Sequence, residues 1–294
     1  MFESLKASIL FERLLKRPDI DKAYKMVPPT DSWYDTISTV HNSLAQIRQL
    51  PSETLHIKSH DGYNLQAIYY PGSSNKTMIW VHGYTSHAER ESAFPGLFYH
   101  SLGYNVLIPY LRAHGPSEGM YIAFGALEYR DMMLWVDAIN DRHPDGSIVL
   151  HGLSMGGGIV LDLAHEEMKN VKCLICDAPS HSVPDFLTTV SNSVFKKDGP
   201  KVAKKLFAKF HKEFQISADN FDRVKNIVHG KYPLLLSAGE LEQMDALLQS
   251  IKIHNPNDTD IVILPGCSHG NGMYKQTERY QGAIRDFLAK YMEN

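Results

Sequence analysis

The sequence predicts an α/β protein: a mostly parallel central sheet with helices on both faces, led by an antiparallel hairpin. Three observations predict it. Short apolar runs of strand length recur from Pro51 onward, separated by segments of helical length, the alternation that builds a parallel sheet. An alternating stretch, Thr54 to Ser59, is followed by Asp61-Gly62 and a second run, Leu65 to Tyr70, which is a hairpin signal. The chain has 294 residues, 43% hydrophobic and 21% charged, enough for one large α/β domain and ordinary for a globular protein.

The elements follow in order. Residues 1–50 read as a helical extension packed on the core. Phe2, Leu5, Ile9, Leu10 and Leu14 recur at helical spacing, Pro18 interrupts, Pro28-Pro29 breaks the chain again, and a second helical stretch runs from about Ser32 to Leu50. After the hairpin come two buried-strand runs: Met78 to Val81, ending in His82-Gly83, and Val106 to Ile108, after the turn Leu102-Gly103-Tyr104. A helix is expected from about Ala126 to Asn140, then a strand from Ile148 and a helix over Ile159 to Ala164. Val171 to Cys176 and Leu234 to Ser237 read as strands. Helix 241–253, strand Ile261 to Leu264 and a helix from about Gln276 to Tyr291 complete the pattern.

One section breaks the alternation. Over fifty residues between Asp177 and Leu234 carry no strand signal. They hold Val183 to Phe195 and a stretch from Lys196 to Lys212 with seven lysines. Leu206, Phe207 and Phe210 among those lysines suit a lid helix with one solvated face. Residues 51–294 are therefore expected to be one domain with a helical cap at about 181–230, and specificity is expected to reside in that cap.

Composition narrows the function. A formal net charge of -3 argues against a nucleic-acid binder. Cys173 and Cys176 lie in the strand-like run VKCLICD, where residues three apart face opposite sides, so they read as core thiols. Three cysteines, an odd number, fit a reducing, cytoplasmic setting. Residues 1–17 interleave charges with apolar residues, so neither a secretion signal nor stable membrane insertion is expected.

The chemistry is concentrated in Ser147 to Val160, SIVLHGLSMGGGIV. Gly152-Leu153-Ser154-Met155-Gly156 is G-x-S-x-G between a predicted strand and a predicted helix, the setting in which the motif forms a nucleophile elbow. A serine hydroxyl needs exposure, a base and nearby donors to act, and glycines at 152 and 156 leave room for a sharp turn. The base should stand in a loop after a late strand. His269, in Cys267-Ser268-His269-Gly270, follows the last predicted strand and is singled out by position among 15 histidines. The acid should follow Leu234 to Ser237, where Glu240, Glu242 and Asp245 are candidates and Asp177, at the preceding strand end, is another. Glu242 is favoured because it stands three residues past Gly239. The oxyanion donors expected are the backbone N–H groups of Met155 and of Tyr84, in the loop His82-Gly83-Tyr84-Thr85.

With these residues assembled, the chain resembles the α/β-hydrolase superfamily, and within it the serine aminopeptidase and monoglyceride-lipase-like branch of bacterial serine hydrolases. The resemblance runs from about Thr54 to the C-terminus and rests on VHGYTS (81–86), GYNVLIPYLRAHGPSEG (103–119), HGLSMGGG (151–158) and PGCSHGNG (265–272). It implies Ser154 as nucleophile, His269 as base, Tyr84 and Met155 as oxyanion donors and the insertion as a cap. Tyr110 stands where relatives usually carry Asp, and Gly239-Glu240-Leu241-Glu242 replaces the usual G-x-x-D. The expected activity is hydrolysis of a small-molecule carboxylic ester through an acyl-enzyme, with no metal or cofactor. Amide or thioester cleavage on the same triad and a non-catalytic binding role are the competing expectations.

Overall fold

The structure is a computed structural model that describes residues 2–19, 30–180 and 182–292. The predicted break at Pro28-Pro29 lies outside them. The described strands form one eight-stranded sheet: β1 (Glu53–Lys58), β2 (Asn64–Tyr70), β3 (Lys76–Val81), β4 (Asn105–Pro109), β5 (Ser147–Leu153), β6 (Val171–Asp177), β7 (Leu234–Gly239) and β8 (Thr259–Leu264). The spatial order is β1-β2-β4-β3-β5-β6-β7-β8. β1 and β2 form the hairpin and β2 runs antiparallel to β4; from β4 to β8 every neighbour is parallel. The inner parallel strands β3 to β7 are buried almost throughout because both their faces are covered, while the edge strand β8 is only half-buried.

Two hydrophobic cores lie on the two sides of the sheet. One gathers α1 (Phe2–Leu15), α4 (Glu128–Arg142), α5 (Met155–Leu163), the cap helices α6 (Val183–Phe195) and α7 (Gly199–Phe214), and α8 (Asp245–His254). The other gathers α2 (Ile37–Ile47), α3 (Ala88–Ser101) and α9 (Thr277–Met292). Cys173 belongs to the second core and Cys176 to the first, as the strand alternation predicts, and both are buried free thiols.

Helix α3 was not read from the sequence. Pro95 and Gly96 fall in its middle, and both weigh against a helix interior. Tertiary packing overrides that penalty. A Cβ on Gly96 would lie 3.0 Å from Ile47 of α2 and 3.5 Å from Val106 of β4, so the glycine lets α3 settle between them. A parallel β3–β4 pair also needs a crossover of this length. At the other end of the chain, residues 240–242 leave the predicted helix 241–253 and form a separate 3₁₀ turn, and that turn shapes the site.

The helices of the N-terminal extension pack on different parts of the protein. α1 lies along α7, with Lys6 paired to Asp198 at 2.8 Å and Lys209 to Glu12 at 3.6 Å. Beyond it, Arg17 N–H donates to Met120 O and Ile122 N–H to Leu15 O. α2 instead packs on α3, where Arg48 pairs with Glu89. Among the described residues no helix is long and apolar enough to cross a membrane.

The loop after β4 absorbs the change at Tyr110. Arg112 is 3% exposed and holds Asp131 at 2.6 Å and Asp61 at 2.8 Å. Ser117 Oγ donates to Tyr110 O, and Gly115 sits at φ +49° against the Tyr110 ring. The turn is thus braced by residues on either side of position 110.

Candidate active site

Register brings the loops together. Val81 lies opposite Gly152, Gly152 opposite Cys176, and Gly239 opposite Leu264. The loops after β3, β5, β7 and β8 therefore leave from one edge, the carboxyl edge at which such sheets place their sites.

Ser154 sits between β5 and α5 at φ 58°, ψ -116°. A non-glycine residue there is strained by about 1–3 kcal/mol, and the surroundings hold it. Its N–H donates to Asp177 O, and its carbonyl accepts from Gly158 N–H and Ser180 N–H. The two glycines have a steric cause. A Cβ at Gly152 would fall 2.3 Å from Gly156 O, and one at Gly156 would fall 1.8 Å from Val81 O. Both contacts are with backbone, so neither can relax cheaply. Gly156→Ala is expected to cost about 3 kcal/mol of stability or more, read as a lower urea midpoint. Gly282→Ala, in α9 with nothing within 4 Å of the new Cβ, should instead hold or raise the midpoint by up to about 1 kcal/mol. Equal midpoints for both variants would refute the steric account.

The hydroxyl of Ser154 lies 2.8 Å from His269 Nε2, and His269 Nδ1 lies 2.5 Å from Glu242 Oε2. With Nδ1–H donating to the carboxylate, Nε2 is the acceptor for the serine proton. The hydrogen bond to Glu242, and then its charge, hold the His269 pKa above its ordinary value against the opposing effect of burial. The Glu242 side chain is 8% exposed and that of His269 57%, so a covered carboxylate steadies a ring that faces the opening.

The other acid candidates point elsewhere. Glu242 is itself fixed by Gly239 N–H, which donates to Oε1 at 2.8 Å. Glu240 turns away to accept Gly266 N–H at 2.9 Å, and Asp245 opens α8. Asp177 is engaged by Ser237 Oγ at 2.8 Å and Tyr280 Oη at 3.0 Å. Burial pushes its pKa up to about 6, the two hydrogen bonds working against that. Behind it Tyr280 meets His151, which meets Tyr99, so a buried polar chain backs the site. Burial holds His151 down to about 3, and it stays neutral within that chain.

The loop after β3 flanks Ser154. His82 is buried and, by burial, held well below the ordinary histidine pKa. Its Nδ1 bonds Gly83 O at 2.8 Å and its Nε2 accepts Leu111 N–H at 3.1 Å, so it is a brace rather than a base. A Cβ on Gly83 would lie 3.6 Å from that of Ser154. Tyr84 follows. Its hydroxyl donates to Leu14 O at the end of α1, and its ring meets Phe124 and Phe186. Met155 opens α5, so its N–H is one of the first-turn amides that lack an intrahelical partner. Tyr84 and Ser154 line one cavity, and Met155 directly follows Ser154 in the chain.

Glu91 was not anticipated. It stands on α3 at the back of the loop, accepting Gly83 N–H at 3.0 Å and Trp80 Nε1–H at 3.0 Å. Burial pushes it up to about 7, against hydrogen bonds from Ser86, Trp80 and Gly83. It stands on a helix the sequence does not announce, one turn past its His87 cap, and its partners Trp80 and Gly83 lie on another segment.

A cavity of about 430 Å³ opens over Ser154 and His269, within the size range of small-molecule sites. Among the described residues none between 182 and 230 lines it. Its far wall comes from the N-terminal extension: Trp33, Thr36, Ile37 and Val40. The i, i+4, i+7 spacing of Trp33, Ile37 and Val40 is a legible apolar stripe, but spacing does not say what a stripe faces.

Comparison with known proteins gives the family. The serine aminopeptidase S33 family pattern matches residues 72–269, about two thirds of the chain. The chain belongs to the serine aminopeptidase S33 family. Its fold is that of the α/β-hydrolases. The multifunctional-autoprocessing repeats-in-toxin of Vibrio vulnificus is 33% identical over 121 residues, covering 40% of this chain but 2% of the toxin's length. Protein bem46 of Schizosaccharomyces pombe is 25% identical over 230 residues, 74% of this chain and 68% of that protein. The esterase Pf2001 of Pyrococcus furiosus superposes with a TM-score of 0.67 over 84% of this chain and 94% of its own, at 24% identity. The S33 stretch holds Tyr84, Ser154, Met155, Glu242 and His269. Residues 33–40, which wall the cavity, precede it.

Proposed function

We propose that this member of the S33 family is a serine hydrolase that cleaves carboxylic esters. The observation that carries the reading is the hydrogen-bonded series Ser154 Oγ, His269, Glu242 at 2.8 and 2.5 Å. Ser154 attacks the ester carbonyl as His269 Nε2 takes its proton. Glu242 holds the ring and stabilises the imidazolium. The N–H groups of Tyr84 and Met155 face the developing oxyanion, each such donor being worth about 3–4 kcal/mol in the transition state. His269 then protonates the leaving alkoxide, an acyl-serine remains, and water activated by the same histidine releases the acid.

Amide cleavage is the second reading, favoured by one observation. A carboxylate, Glu91, lines the cavity, where a free amine would seek one. Its oxygens already accept Gly83 and Trp80 N–H groups, which supports the ester. Purified protein should therefore hydrolyse p-nitrophenyl esters at least about tenfold faster, in kcat/KM, than matching thioesters and aminoacyl p-nitroanilides. A preference for the anilide overturns the ranking. A reducing, cytoplasmic setting is part of the same proposal, supported by the buried free thiols of Cys173, Cys176 and Cys267.

A further inference from the structure

We propose that the segment Ser32–Val40, and not the cap, is the specificity wall of this enzyme, and that it selects esters with an extended apolar arm. The inference rests on the ester-hydrolase reading of Ser154. Three observations support it.

The first is placement. Trp33, Thr36, Ile37 and Val40 line the cavity shared with Ser154 and His269, facing Leu153 and Tyr274. These are mostly hydrocarbon and aromatic surfaces, which gain by covering CH₂ groups and not by binding charge. Each CH₂ covered is worth roughly fourfold in affinity.

The second is attachment. Ser32 Oγ bonds Ser268 Oγ at 2.7 Å, and Asn271 Nδ2 donates to Ser32 O at 3.0 Å. Ser268 and Asn271 flank His269 in the last loop. Trp33 meets Tyr274 edge-on with centroids 5.7 Å apart, and a Cβ on Gly270 would lie 3.3 Å from the Trp33 ring. Within the segment Thr36 Oγ1 donates to Trp33 O, and just before it Asp31 accepts Trp33 N–H. The wall is therefore fixed to the loop that carries the candidate base, which preorganises it.

The third is the position of the cap. α6 reaches the site region through Phe186, which stacks on Phe124 with centroids 3.8 Å apart and meets the Tyr84 ring. It thus supports the back of the oxyanion loop, while the described cap residues stay out of the cavity lining.

The test uses the full chain and two ester series: p-nitrophenyl acetate to octanoate, and methyl to hexyl acetate. The native protein should show kcat/KM climbing roughly tenfold or more with chain length in one series. Trp33→Ala, which removes the wall, should reduce the long-to-short ratio at least about fivefold. Ile37→Trp, which fills the cavity, should reduce it further, to near or below one. Val194→Ala, at an exposed cap position, should leave the profile as it is. Labelling of Ser154 by a small fluorophosphonate in each variant shows that the site is still assembled. A flat profile in both series, or a climb that Trp33→Ala and Ile37→Trp leave untouched, overturns the wall. If Ser154→Ala also turns these esters over undiminished, the ester-hydrolase reading itself has failed, which is a different result.

Discussion

Ser154→Ala should lower kcat/KM for p-nitrophenyl esters by roughly 10⁴ to 10⁶, the loss found when the nucleophile of such a constellation is removed. The remainder should be only the rate that binding and the oxyanion donors supply. The fold should survive, because the substitution keeps the backbone N–H to Asp177 O and the carbonyl to Gly158 and Ser180 and removes one exposed oxygen. An unchanged urea midpoint beside the collapsed rate would separate chemistry from stability. Undiminished turnover would falsify the assignment of Ser154.

Glu242→Gln should cost roughly ten-thousand-fold in kcat, as a carboxylate-to-amide change does when it presents the histidine with the wrong tautomer. It should also move the pH profile, and the sign follows from the geometry. The base must be neutral to accept the serine proton, so activity rises with pH through the His269 pKa. Glu242 holds that pKa above its ordinary value. Removing the carboxylate lets it fall, and the acid limb of kcat/KM should shift to lower pH. Asp245→Ala, by contrast, should change kcat/KM by less than about threefold, since Asp245 opens α8 away from the ring. If Asp245→Ala gave the large loss and Glu242→Gln did not, the acid would have been misplaced.

The readable part of the molecule is the part set by local rules. Apolar runs with two covered faces marked the parallel strands, and the G-x-S-x-G turn announced itself by glycines whose absent Cβ atoms would strike backbone at 1.8 and 2.3 Å. Chain order points to His269 and the distance from Gly239 points to Glu242, and the structure brings the two within hydrogen-bond reach. What escaped was set by distant packing. α3 contains Pro95 and Gly96 and forms because Ile47 and Val106 accept the close approach. Glu91 acts through Gly83 and Trp80, both on other segments. The stripe of Trp33, Ile37 and Val40 was visible as an amphipathic pattern, yet its partner lies more than two hundred residues downstream. The cap was the expected seat of specificity because it interrupts the sheet pattern, but the described cap residues do not line the cavity.

Tyr84 gives the N-terminal extension a second meaning. Its backbone borders the nucleophile while its hydroxyl is tied to Leu14 O on α1, outside the stretch that matches the family. One residue thus joins the loop beside Ser154 to the end of α1. The family-matching stretch, residues 72–269, therefore holds Tyr84 but not the helix end to which its hydroxyl is tied. Trimming the chain back to it would remove that helix end and the cavity wall together, and the loop beside Ser154 would lose its outer mooring.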